Sequence, residues 1–327
     1  MTERRHISVL AVEAVEALAP AGGGRFIDAT YGAGGYAAAL LAAGASFVLG
    51  IDRDADAIRE AAPAVAASGG RLKVAQGRFS DMAALAAAND GLPADGIAFD
   101  FGVSSMQIDR AERGFSFQND GPLDMRMENA GPSAADFVNT AEMREIVLVL
   151  RRLGEEPRAR RIAEAIVAAR AEQPIERTAR LADIVLGAIG RRPDAKTHPA
   201  TRTFQAIRMH VNDELGEIVR GLAAAELALR PGGRLAVVSF HSLEDRIVKR
   251  FLNRRAGREA NASRHDPAAL FDDRTPPSFR LLNRRPTAPS DAEVAANPRA
   301  RSAKLRAAER TDAAAFDPAD DFGSIAA

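Results

Sequence analysis

Three aspartates and one glycine cluster carry the first chemical signal in this 327-residue chain. Asp28 is followed by Gly32, Gly34 and Gly35, Asp52 stands about twenty residues further on, and Asp100 comes later. Glycines let a backbone turn sharply and approach a ligand closely. The N–H groups that open the next helix lack intrahelical partners and suit a polar ligand. Asp52 has two oxygens able to accept from both hydroxyls of a ribose. On the loop alone two cofactor classes fit, because Gly32-x-Gly34-x-x-Ala37 also matches the dinucleotide fingerprint. Asp28 tips the balance, since a carboxylate before the glycines suits an ammonium better than a pyrophosphate. Asp100 places a second carboxylate beside the same crevice. Phe79, after Gly77, can cover an adenine face, and core packing explains it almost as well.

The elements that position these residues follow from the apolar runs. Arg25–Ala29, Phe47–Ile51, Leu72–Ala75 and Gly96–Phe99 read as strands, each followed by a glycine turn or an Ala-rich helix. Strand and helix alternation of this kind implies a parallel sheet covered on both faces, an α/β fold. Asp54 caps the helix after the second strand. From 106 to 199 the strand pattern stops and helical periods take over, at Ala141–Leu153, Glu156–Glu172 and Thr178–Ile189. This block is expected to be a helical, substrate-recognising insert. The α/β pattern resumes with a long helix, Thr203–Leu229, the turn Pro231-Gly232-Gly233 and the strand Arg234–Phe240. Ser242 or Asp245 starts a further helix, and Phe279–Asn283 with Ala303–Ala308 forms a closing antiparallel pair. The expected organisation is a cofactor-binding domain over 1–105 and 200–311, the insert over 106–199, and a disordered tail over 312–327.

Composition bounds the function classes. There is no Cys, so disulfides, zinc–thiolate sites and thiol nucleophiles are excluded. None of the five His has metal-ligand spacing, and no catalytic metal is expected. No apolar stretch suits a membrane span or a signal core, and a cytoplasmic protein is expected. The formal charge is zero, but His241–Arg310 holds 16 Lys/Arg against 9 Asp/Glu, while four Asp and no base follow Thr311. A basic segment is thus hidden in a neutral total. Arg246, Lys249 and Arg250 share a helix face and are expected to meet phosphates, with Arg191 and Arg192 next in line. A solvated helix face is the plain alternative. His241, directly after a strand, is a candidate for a substrate contact or for a turn of the chain.

Longer words make the reading specific. They are Asp100-Phe101-Gly102-Val103-Ser104-Ser105-Met106-Gln107, Glu112–Phe117, Asp120–Met127, His198–Ala206, Ser239–Lys249 and Asn297–Ser302. Together they resemble the bacterial small-subunit ribosomal RNA cytosine-N4 methyltransferase family (methyltransferase H), from His6 to about Thr311. The resemblance implies a class I, Rossmann-like methyltransferase sheet and S-adenosylmethionine as methyl donor. It implies transfer to the exocyclic amine of a cytidine in the decoding region of small-subunit ribosomal RNA. Donor contacts are implied for Gly34, Gly35, Tyr36, Asp52, Phe79, Asp100 and Gln107; the family usually carries His where this chain has Tyr36.

Asp100, Ser104, Ser105 and His241 are the residues expected at the chemistry. The segment Gly114–Met127 is read as a lid over the site in preference to simple packing. The expected partner is the RNA, naked or in an assembled particle. A homodimer is compatible with the sequence. An NAD-dependent oxidoreductase and a non-catalytic RNA-binding assembly factor are the rival readings.

Overall fold

The computed structural model describes residues 8–128, 130–191, 197–258 and 275–319. The strands are β1 (Arg25–Asp28), β2 (Phe47–Asp52), β3 (Leu72–Gln76), β4 (Ala94–Asp100), β5 (Leu229–Ser239), β6 (Phe279–Leu281) and β7 (Lys304–Arg310). The helices are α1 (Ala11–Leu18), α2 (Gly35–Ala42), α3 (Ala55–Ala67), α4 (Met82–Ala88), α5 (Ser105–Asp109), α6 (Ala134–Thr140) and α7 (Met143–Arg152). They continue as α8 (Ala159–Glu172), α9 (Thr178–Ile189), α10 (Thr201–Val211), α11 (Glu214–Ala228), α12 (Ser242–Arg255) and α13 (Asp291–Ala296).

The chain forms two compact units, Met1–Gly102 with Leu215–Ala327, and Val103–Glu214. In the first, one seven-stranded sheet runs in the order β3-β2-β1-β4-β5-β7-β6. The first five strands pair in parallel, and β7 is antiparallel to β5 and to β6. This is the expected Rossmann-like sheet with its closing antiparallel pair. Successive side chains of a strand point to opposite faces, and the two faces hold separate cores. Ile27, Leu49, Ile97, Phe99, Leu235 and Val237 join residues of α4, α11 and α12. Phe26, Val48, Ala98, Ala236 and Val238 join residues of α1 and α2. Burial on both faces explains why the strands read as nearly continuous apolar runs.

The second unit packs its helices around Phe137, Ile146, Leu150, Ile162, Ile166, Leu181, Val185, Phe204 and Ile207. Its extent corrects the expected insert of 106–199, because α10 belongs to this core. The single helix expected over Thr203–Leu229 is two helices. Asp213 adopts a left-handed φ of 47°, which a continuous helix cannot contain. The Asn212 side chain donates to the Met125 carbonyl at 2.7 Å and accepts from the Met127 amide at 2.8 Å. Arg208 grips Glu214 through two bonds of 2.7 and 2.8 Å across the break. The same contacts correct the lid reading of Gly114–Met127. Phe115, Leu123, Met125 and Met127 are buried in this unit's core, and Asp120 holds Arg177 at 2.6 Å. The segment is part of the packing.

The tail expected to be disordered from Asp312 is in part anchored. The Phe316 amide donates to Glu226 at 3.2 Å, and the Phe316 ring lies 5.1 Å from the Arg255 guanidinium. Residues 320–327 lie outside the described residues. Among the described residues no helix is long and apolar enough to cross a membrane.

Candidate active site

The loop after β1 is stitched to the ends of both neighbouring strands. Ala29 N–H donates to the Ala98 carbonyl of β4 and Tyr31 N–H to the Ile51 carbonyl of β2. Thr30 Oγ1 accepts from the Asp100 amide at 2.7 Å, and Gly32 N–H donates to Asp52 Oδ2 at 2.7 Å. Ala29 and Thr30 thus tie the loop to β4, and Tyr31 and Gly32 tie it to β2. Thr30 and Tyr31 were not read as site residues, yet they set its shape. Tyr31 is buried, and its ring fills the space a Cβ at Gly34 would need. Gly34 also has φ +77°, where a side chain is strained.

Three carboxylates stand at the ends of adjacent strands. Asp28, on β1, is 1% exposed. Its oxygens accept from Thr30 N–H at 3.4 Å and from Ala37 N–H at 3.0 Å. Burial pushes its carboxyl up to about 7 against those two bonds, and the nearby Asp52 charge adds to the rise. Asp52, on β2, accepts from Gly32 and from Asp54, one bond to each oxygen. Burial raises it as well. Each oxygen keeps a second lone pair for a hydroxyl donor. Asp54 caps α3 as expected, accepting from Asp56 N–H at 3.0 Å.

Asp100, on β4, is raised well above the usual carboxylate range by burial, then by the charges of Asp28 and Glu244. Its Oδ1 is buried and has no hydrogen-bond partner. No ion pair holds any of the three among the described residues. Buried polar atoms are normally partnered, and a ligand that brings positive charge and donors would suit this set.

The remaining expected residues divide. Gly35 and Tyr36 open α2, but the Tyr36 hydroxyl donates to the Val9 carbonyl. Burial pushes that hydroxyl well up in pKa, so Tyr36 ties α2 to the chain before α1, and only its backbone remains for a cofactor. Phe79 packs edge-on against Phe99 at 5.4 Å and tilted against Phe101 at 5.9 Å. Its ring occupies the space that a side chain at Gly221 would need. Phe79 is therefore held in a three-ring cluster and is only partly buried.

Ser104 and Gln107 form a capping box on α5, with bonds of 3.2 and 3.1 Å. The side chain of Ser105 lies outside the described ones, as does residue Arg192. Arg191 is exposed in the helical unit. Arg246, Lys249 and Arg250 are exposed on α12, opposite the buried Ile247, Val248, Phe251 and Leu252.

His241 is the N-cap of α12, a position expected for Ser242 or Asp245. Its Nδ1 accepts from Glu244 N–H at 3.5 Å, and Glu244 Oε2 accepts in return from Phe240 and His241 N–H at 2.8 and 3.2 Å. Asp245 instead binds Lys304 at 3.0 Å and Arg306 at 2.7 Å. Among the described residues no group of three His, Asp or Glu is placed to hold a metal.

The sequence matches the MraW methylase family over residues 3–311. The chain belongs to that family. A relative in Methylorubrum extorquens strain AM1, named ribosomal RNA small subunit methyltransferase H, is 56% identical over 317 residues, covering 97% of this chain and 90% of that protein. A relative of the same name in Nitrobacter winogradskyi is 56% identical over 313 residues, covering 96% of this chain and 93% of that protein.

Proposed function

We propose that this MraW-family chain transfers a methyl group from S-adenosylmethionine to the N4 amine of a cytidine in the decoding region of small-subunit ribosomal RNA. The observation that carries the reading is the row Asp28, Asp52 and Asp100, three carboxylates at adjacent strand ends with no ion pair among the described residues. The residues fit the donor: Asp52 for the ribose hydroxyls, Asp28 for the positive methionine end, the Gly32–Gly35 loop for close backbone approach, and Phe79 for the adenine. When bound, S-adenosylmethionine supplies a methyl group already activated on a sulfonium, so the protein needs no covalent intermediate. The amine of cytosine is a poor nucleophile, because its lone pair is delocalised into the ring. Asp100 Oδ1 accepts a hydrogen bond from that amine, favours a pyramidal nitrogen and takes the proton that the nitrogen loses as the N–CH3 bond forms and the thioether leaves. An acceptor whose hold strengthens as charge develops on nitrogen acts chiefly on the transition state. The target base must leave its stack to reach this depth. Gln107, Ser104 and Ser105 stay in the proposal as residues of the same sequence word. The exposed face of Arg246, Lys249 and Arg250, with Arg191, is proposed to meet RNA phosphates.

Two measurements test this reading. S-adenosylmethionine raises the melting temperature and NAD does not. Single-turnover incorporation labels small-subunit ribosomal RNA at a cytidine amine. A shift with NAD alone, or label elsewhere than the amine, overturns it.

A further inference from the structure

Two buried polar side-chain atoms without hydrogen-bond partners stand at neighbouring strand ends. One is Asp100 Oδ1, at the end of β4; the other is His241 Nε2, just past the end of β5. Asp100 is in register with Val238 of β5, and Phe101 N–H donates to the Val238 carbonyl at 3.0 Å. His241 follows three residues later.

The cap fixes what His241 can do. Its Nδ1 accepts the Glu244 amide, and an accepting imidazole nitrogen carries no proton. The neutral ring therefore holds its proton on Nε2, which is a donor. Glu244 Oε1 lies 2.9 Å from Nε2, yet Nε2 has no hydrogen-bond partner. Glu244 thus holds the ring and leaves its N–H unspent. An unmet buried donor is costly, and its persistence needs a reason.

We propose that His241 is a specificity residue of the methyl-transfer site, its Nε2–H donating to N3 of the target cytosine while Asp100 Oδ1 accepts from the N4 amine. The inference rests on the functional reading above. Cytosine presents an acceptor, N3, beside a donor, the N4 amine. The two unmet protein atoms are a donor and an acceptor in the matching sense. Uracil presents N3–H and O4, so donor would face donor and acceptor would face acceptor. A flipped base is read in this way, along its Watson–Crick edge. Adenine shows the same order of groups as cytosine, so the pair separates cytosine from uracil and leaves the exclusion of purines to size.

The test uses decoding-region RNA fragments with cytidine or 3-deazacytidine at the methylated position; the second has C–H in place of N3. His241→Asn keeps a side-chain oxygen that caps a helix well and removes the Nε2 donor. Wild type is expected to prefer cytidine by about tenfold in kcat/KM, the scale of one hydrogen bond. His241→Asn is expected to lose that preference, with melting temperature and S-adenosylmethionine affinity unchanged. Methylation of the cytidine fragment by wild type reports on the functional reading separately. A His241→Asn enzyme that still prefers cytidine as strongly as wild type overturns the proposal.

Discussion

The amide of Gly32 donates to Asp52 Oδ2 at 2.7 Å, so the carboxylate proposed to hold the ribose also holds the loop that cradles the rest of the donor. Its other oxygen accepts from Asp54 N–H at 2.8 Å. Binding and loop geometry are therefore coupled through one side chain. Asp52→Ala is expected to weaken S-adenosylmethionine by one to several orders of magnitude, since hydrogen bonds to a charged group contribute about 1.5–3 kcal/mol each. Asp52→Asn keeps one acceptor oxygen and should lose less. Calorimetry decides, and equal affinity for wild type and Asp52→Ala would remove Asp52 from the site.

Asp28 gives the site a pH dependence whose sign follows from burial. Its carboxyl is at about 7 when folded, against 3.8 for an unperturbed group. Between those values the folded chain holds a proton that the unfolded chain has released. The ligand-free protein is therefore expected to lose stability as pH rises from about 4 to 7, by up to about 4 kcal/mol from this group, with no further loss from it above 7. A donor carrying positive charge prefers ionised Asp28, so its affinity should rise by up to about tenfold per pH unit below 7 and level off above. Titrations in buffers of different ionisation enthalpy should show proton release at pH 6. A dissociation constant flat from pH 6 to 8 contradicts the assignment of Asp28 to the cationic end.

How far the sequence could be read follows from where each signal resides. The strands were legible because burial on both faces leaves apolar runs, and the strand-end aspartates were legible because each closes such a run. The break between α10 and α11 was not, because the helical period continues through it. What ends α10 is Asn212 reaching Met125 and Met127, more than eighty residues away. The cap of α12 was misplaced for a related reason. Ser242 and Asp245 are better capping types than His241, but Asp245 is claimed by Lys304 and Arg306 from β7. Tyr36 was a cofactor contact only by the family resemblance, and the fold shows its hydroxyl on Val9.

Arg255 and Glu226 form a buried pair at 2.8 Å, with side chains 0% and 1% exposed. The Arg255 guanidinium also lies 3.8 Å from the centre of the Phe251 ring. Glu226→Ala would remove the Glu226 carboxylate from the buried guanidinium and release the Phe316 amide. Breaking one side of such a pair costs about 3–5 kcal/mol. Thermal unfolding should show a marked loss, with donor affinity at 25 °C unchanged. A melting temperature equal to wild type would mean that the other contacts of Arg255 suffice to hold it.

The basic face of α12 makes a prediction that depends on salt. Arg246, Lys249 and Arg250 are exposed on one side of the helix. If they meet phosphates, the logarithm of RNA affinity falls linearly with the logarithm of salt, with a slope of about 0.7–0.9 per contact. Lys249→Ala with Arg250→Ala should reduce that slope by up to about two contacts and leave donor binding intact. A slope identical to wild type places the RNA elsewhere, with Arg191 next to be replaced.

Asp100 separates binding from chemistry. Its backbone is fixed by Thr30 at 2.7 Å, so replacing the side chain should leave the strand end in place. Its free oxygen is what an acceptor for the target amine requires, and a positively charged donor bound beside it favours the ionised form that burial alone disfavours. Asp100→Asn keeps the size and one acceptor oxygen but removes the charge. If the carboxylate acts mainly as positive charge develops on the amine, the single-turnover rate at saturating donor should fall by about 10²-fold or more, the scale of one preorganised electrostatic group. Donor affinity should change much less. The competing assignment is that Asp100 holds the methionine end together with Asp28, and it predicts the reverse. Donor affinity would then collapse, while the rate at saturation stayed near wild type. Measuring the dissociation constant and the single-turnover rate on the same variant assigns Asp100 to one role or the other, because a loss in one quantity does not require a loss in the other.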